Sequence, residues 1–95
     1  MRTLVPSSIY KRLSSEIASR RELTDALAAV YWALRNKADD YPVMPGYSTL
    51  RMAKTDAVRN IPALYIIFRI NCNDEVDLKY IEVASDNGFQ GPPLM

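Results

Sequence analysis

Histidine is absent from this 95-residue chain, and cysteine occurs once, at Cys72. The first absence removes the commonest general base and the commonest neutral metal ligand, so no Ser/His/Asp triad can form. A zinc site would have to combine one thiolate with carboxylates, a poor donor set, so neither a metal nor a cofactor is expected. A lone cysteine excludes a disulfide within the chain and suits a reducing cytoplasm, with an intermolecular bridge still open. Nothing basic adjoins Cys72 to activate it, so it reads as inert rather than reactive. Glycine is scarce, at three residues. The segment MPGY at 44–47 is therefore a turn and not a phosphate loop, which needs repeated glycines and a lysine. Long apolar runs are lacking too. No signal-peptide core follows Arg2 and no segment approaches membrane-spanning length, so a soluble cytoplasmic protein with no membrane contact is expected.

An excess of either charge is also missing, since the net charge is only +1. The distribution is uneven, however. Residues 1–38 place Arg2, Lys11, Arg12, Arg20, Arg21, Arg35 and Lys37 against Glu16, Glu22 and Asp25, a net +4. Residues 71–95 place Lys79 against Asp74, Glu75, Asp77, Glu82 and Asp86, a net −4. A basic front and an acidic back suit self-association or a charged protein partner better than a dedicated nucleic-acid binder.

What is present is enough for one modest core. Hydrophobic residues make up 48% of the chain and charged residues 24%, an ordinary globular balance for a single domain over 1–95. A short strand is expected at 2–5. Pro6 and Ser7 or Ser8 then start a helix over 8–18, with Val5, Ile9, Leu13 and Ile17 as its apolar stripe. Ser19 and Glu22 have capping-box spacing, which predicts a second helix directly after the first, as a hairpin or one bent helix. Leu23, Leu27, Val30, Tyr31 and Leu34 form its stripe. Asn36, Pro42 and Pro45-Gly46 end it.

Three strands follow. STLRMAKT at 48–55 is the first, with Leu50 and Met52 on one face. ALYIIFRI at 63–70 is the second, with Leu64, Ile66, Phe68 and Ile70 facing the core. EVDLKYIEV at 75–83 is the third, with Val76, Leu78 and Tyr80 on one face and Asp77, Lys79 and Ile81 on the other. The tail from about 85 to 95 reads as irregular. The expected fold is α+β, a helical hairpin on a small antiparallel sheet.

In the opening RTLVPSSIYKRL, the later TLRM and the pair ALYIIFRI and EVDLKYIEVA, the chain resembles the RelE/ParE toxin superfamily over roughly residues 2–84. That resemblance implies a short strand, a helical hairpin and an antiparallel sheet. It implies a toxin of a type II toxin–antitoxin pair, neutralised by an antitoxin that wraps it. Some members are ribosome-dependent mRNA endoribonucleases and others poison DNA gyrase. The ribonuclease members are strongly basic, often carry arginine where Tyr65 stands, and often carry arginine and tyrosine after the last strand. This chain has none of these features, so binding is expected rather than RNA cleavage.

Two groups of residues are candidates for function. Arg51, Lys54, Tyr65, Arg69 and Lys79 would form a binding surface if the sheet's open face gathers them, the cations for phosphate and Tyr65 for stacking. They are equally readable as solvated strand residues, paired with Asp77 or Glu82. Tyr80 is expected in the core. Tyr31, Trp32 and Arg35 would form a protein-partner interface, since aromatics and arginines dominate such contacts; Trp32 at the edge of the chain's own core is the alternative. The competing function is a small non-catalytic interaction module with the same fold, for which a symmetric homodimer is the default form.

Overall fold

The computed structural model describes residues 1–58 and 61–85 together with Phe89 and Gly91. Strand β1 (Leu4–Pro6) leads into helix α1 (Ser8–Ala18) and helix α2 (Thr24–Lys37), and strands β2 (Arg51–Lys54), β3 (Leu64–Ile70) and β4 (Val76–Val83) follow. The strands form one sheet in the order β1-β4-β3-β2. The expected α+β order is present, but the sheet is mixed: β2, β3 and β4 pair antiparallel, whereas β1 runs parallel to β4. A parallel neighbour needs a long crossover, and everything between β1 and β4 supplies it. Pro6 is accommodated because β1 is an edge strand.

Helix α1 has the expected limits, with Ser7 as its N-cap, its Oγ accepting the Tyr10 N–H at 3.1 Å. Its buried side differs from the expected stripe. Tyr10 and Ile17 are buried and Leu13 partly so, while Val5 and Ile9 are exposed. Val5 belongs to the strand, and a strict four-residue repeat drifts about 40° around a helix at each step. The run therefore starts off the core side at Ile9 and reaches it only at Ile17, and Tyr10 fills the core position in the first turn.

The capping box does not form. Ser19 ends α1, its Oγ donating to the Glu16 carbonyl at 2.7 Å, and Glu22 accepts instead from Arg20 Nε at 2.8 Å. Arg20 is extended, one 3-10 turn at Arg21–Leu23 follows, and α2 starts at Thr24, so two separate helices result. The α2 stripe is as expected, with Leu23, Leu27, Val30 and Leu34 buried and Tyr31 packed against them. The turn at 44–47 is also as expected. Tyr47 N–H reaches the Met44 carbonyl at 3.1 Å, and Gly46 sits at φ +84°, the positive value a type II turn needs at that position.

The helices cover one face of the sheet, where Ala53, Leu64, Ile66, Phe68, Val76, Leu78 and Ile81 are buried with the helix stripe. Burying a large aliphatic or aromatic side chain stabilises the fold by about 1.5–3 kcal/mol. Some of the opposed charge of front and back is satisfied internally: Arg2 holds Asp74 at 3.0 Å and Asp39 at 3.6 Å.

Candidate functional site

The alternation of strand side chains defines the sheet's other face. Opposite Leu64, Ile66 and Phe68, β3 presents Tyr65, Ile67 and Arg69. Lys54 of β2 pairs with Tyr65 and Met52 with Ile67. On the other side Glu82 pairs with Tyr65, Tyr80 with Ile67 and Asp77 with Arg69. The register contains a bulge: Phe68 pairs with Leu78 and Ile67 with Tyr80, leaving Lys79 without a partner.

That extra residue reverses the expected faces of β4 beyond it. Ile81 turns into the core and is buried, and Tyr80 moves to the open face, the opposite of its expected place. The signal was in the sequence as a change of phase: Val76 and Leu78 alternate, then Ile81 and Val83, with two residues between the pairs instead of one.

Tyr80 meets the C-terminal segment there. The Phe89 ring lies 5.2 Å from Tyr65 and 6.3 Å from Tyr80 between centroids, the second contact edge-on. Glu82 Oε1 accepts the Tyr80 hydroxyl at 2.7 Å and the Gly91 N–H at 2.9 Å. The Gly91 carbonyl lies 3.1 Å from the same hydroxyl. Burial, reinforced by the hydrogen bond to the Glu82 carboxylate and its negative charge, pushes the Tyr80 phenol up to about 12. Ile67, on the open face, is nonetheless buried. Phe89 and Glu82 were not among the expected site residues; the single aromatic of a glycine- and proline-containing tail was the available clue. Of the tail, Phe89 and Gly91 lie in no regular element, and the other residues of 86–95 fall outside the described residues.

At the far end of this face, Arg69 Nη2 donates to Asp77 Oδ2 at 2.9 Å and Asn71 Nδ2 to Asp77 Oδ1 at 3.0 Å. The Arg69 hydrogen bond is the main cause that holds the Asp77 carboxyl below its ordinary range, with Asn71 helping. Asn71 also ties the hairpin turn, its Oδ1 accepting the N–H groups of Asn73 and Glu75. Cys72 is exposed on that turn.

The five expected binding residues are thus not gathered. Lys54, Tyr65 and Arg69 share the open face, with Lys54 Nζ 5.7 Å from the Tyr65 ring centroid. Lys79 is exposed at the bulge. Arg51 is on the helix side, because it pairs with Phe68, and its Nη1 donates to the carbonyls of Tyr41 at 2.5 Å and Asp39 at 3.3 Å. The second group is split as well. Tyr31 turns inward, its hydroxyl 2.8 Å from that of buried Tyr10. Trp32 is 56% exposed, with Lys37 Nζ 5.7 Å from its ring centroid, and Arg35 is exposed beside it. Trp32 is therefore a surface residue and not the edge of the core. Among the described residues, no group of three or more His, Cys, Asp or Glu is arranged to hold a metal ion, and no helix is long and apolar enough to cross a membrane. The chain matches no family model, no curated protein and no solved structure.

Proposed function

We propose that the chain is a toxin-like component of a toxin–antitoxin pair that works by binding another protein at the open face of its sheet, and that it does not cut RNA. The observation that carries the binding mode is the division of the cations. Arg51 is committed to carbonyls on the helix side and Arg69 to Asp77. Apart from Lys54 over the Tyr65 ring, the open face is left with a tyrosine–phenylalanine cluster beside Glu82, which suits a protein segment better than a phosphate backbone. The toxin part of the reading is supported by the order strand, two helices, three strands, the order on which the RelE/ParE resemblance rests. The cytoplasm is its place, as the lone thiol suggests.

Induced expression in a bacterial host tests the proposal. Growth arrest is expected, relieved by Tyr65→Ala and by co-expression of the reading frame next to the gene. Normal growth with soluble, folded protein sinks it. Arrest accompanied by cleavage of messenger RNA removes the binding mode and restores the ribonuclease.

The exposed Trp32 favours a second reading, a non-catalytic module that pairs with another copy through α2. Sedimentation separates the two. A dimer dispersed by Trp32→Ala supports the module, and a monomer at working concentration excludes it.

A further inference from the structure

Apart from the open face, a trough runs along the side of the domain between α2 and the chain that leaves β2. It consists of two cavities of about 340 and 240 Å³ that share Ala29, Thr55 and Asp56. In the larger, Ala26 and Ala29 of α2 form one wall and Val58 and Ile61 the other. The second wall is fixed by reciprocal backbone hydrogen bonds, Val58 N–H to the Ile61 carbonyl at 3.0 Å and Ile61 N–H to the Val58 carbonyl at 2.8 Å. Val58 remains 54% exposed in spite of lying in this apolar lining. Alanines on the helix wall leave room for side chains from outside.

Carboxylates from both walls stand at this apolar floor: Glu22 and Asp25 from the α2 side and Asp56 from the other. Glu22 is held by Arg20. Asp25 and Asp56 pair with no cation among the described residues. Asp25 is in the first turn of α2, where a negative charge complements the helix dipole. Asp56 is in a loop and has no such reason. With Lys54 set off in the smaller cavity, an apolar floor between two acids that pair with no cation among the described residues is complementary to a side chain or segment that is apolar along its body and positive at its end.

We propose that this trough is a docking groove for a basic amphipathic segment of a protein partner. The segment's apolar side chains rest on Ala26, Ala29, Val58 and Ile61, and its lysine or arginine reaches Asp25 and Asp56. Lys54 stands on the rim between the smaller cavity and the open face, but Ala26, Ala29, Val58 and Ile61 take no part in the tyrosine–phenylalanine cluster, so the inference holds whether or not the toxin reading does.

The test is an amide NMR titration of the intact chain with two short synthetic peptides, one alternating leucine and lysine, the other leucine and glutamate. The leucine–lysine peptide is expected to shift Ala26, Ala29, Val58 and Ile61 saturably, and the glutamate peptide to leave them in place. Added salt should weaken the interaction, since the pairs are exposed. The double variant Asp25→Asn/Asp56→Asn should bind about fivefold more weakly, while Glu22→Gln, already neutralised by Arg20, changes little. Equal shifts with both peptides, shifts centred elsewhere, or undiminished binding by a folded double variant would overturn the proposal. Should that variant unfold, the salt dependence on the native chain decides, and a salt-insensitive affinity overturns it.

Discussion

Ile9 and Tyr10 are neighbours with opposite fates. Ile9 is 54% exposed and Tyr10 2% exposed. Hydrophobicity alone favours the isoleucine for the core. Its position decides otherwise, because the helix cannot turn until β1 ends and Ser7 caps it, and this sets which residue points at the sheet. The Tyr10 hydroxyl survives burial because Tyr31 supplies a partner. Tyr10→Phe is expected to cost about 0.5–1.5 kcal/mol and Tyr10→Ala about 3–5 kcal/mol. Ile9→Ala should stay within about 0.5 kcal/mol. Urea unfolding measures all three, and a larger loss for Ile9→Ala than for Tyr10→Ala would contradict the helix phase described above.

Among the elements, β4 shows how one residue governs a face. Its bulge places Tyr80 and Glu82 beside Tyr65 and sends Ile81 and Val83 to the core side. Deleting Lys79 leaves the remaining residues in strict alternation, with Leu78 and Ile81 still inward and Tyr80 still outward. The shortened chain is therefore expected to fold, at a cost of no more than about 1–3 kcal/mol for the altered twist. Deleting Ile67 from β3 has the opposite effect, since it turns Phe68 outward and Arg69 into the core, and burying an unpaired charge should abolish folding. Circular dichroism and urea unfolding compare the two. Equal damage from both deletions would count against the bulge. The two strands also show what was legible: β3 alternates cleanly and its faces could be read directly, whereas in β4 Tyr80 suits either face, and the pairing decided.

For the molecule as a whole, the tail and the tyrosines are linked. Tyr10, Tyr41 and Tyr80 all hold their protons more tightly than a free tyrosine, chiefly through burial. A group whose folded pKa is raised contributes stability that is complete below its unfolded value and lost as pH rises through the folded one. The unfolded value is 10.0 and that of folded Tyr80 about 12, so on the alkaline side the Tyr80 contribution should hold up to the first and be lost across that interval. Phe89→Ala should reopen Tyr80 to water and lower its titration towards the ordinary value. It should also lower stability by about 0.5–1.5 kcal/mol beyond the lost burial. Ultraviolet phenolate titration, with Tyr80→Phe for assignment, follows the shift. An unchanged titration would mean that Phe89 does not cover this face in solution.

The local facts were legible in the sequence: both helices, a serine cap at Ser7 or Ser8, the Pro45-Gly46 turn, the α2 stripe and the inward residues of β3. Each follows from contacts within a few residues, where periodicity and the geometry of proline, glycine and serine act directly. Tertiary structure alone decided the rest. Arg51 lies on the helix side because its strand's register opposes it to Phe68, and Phe89 packs on Tyr65 from far along the chain. Arg2 spends its charge on Asp74 because β1 lies beside β4, next to the hairpin turn that carries this residue. These outcomes join residues far apart in the chain, and the side of a sheet on which a side chain falls depends on a register that a single unpaired residue can reverse.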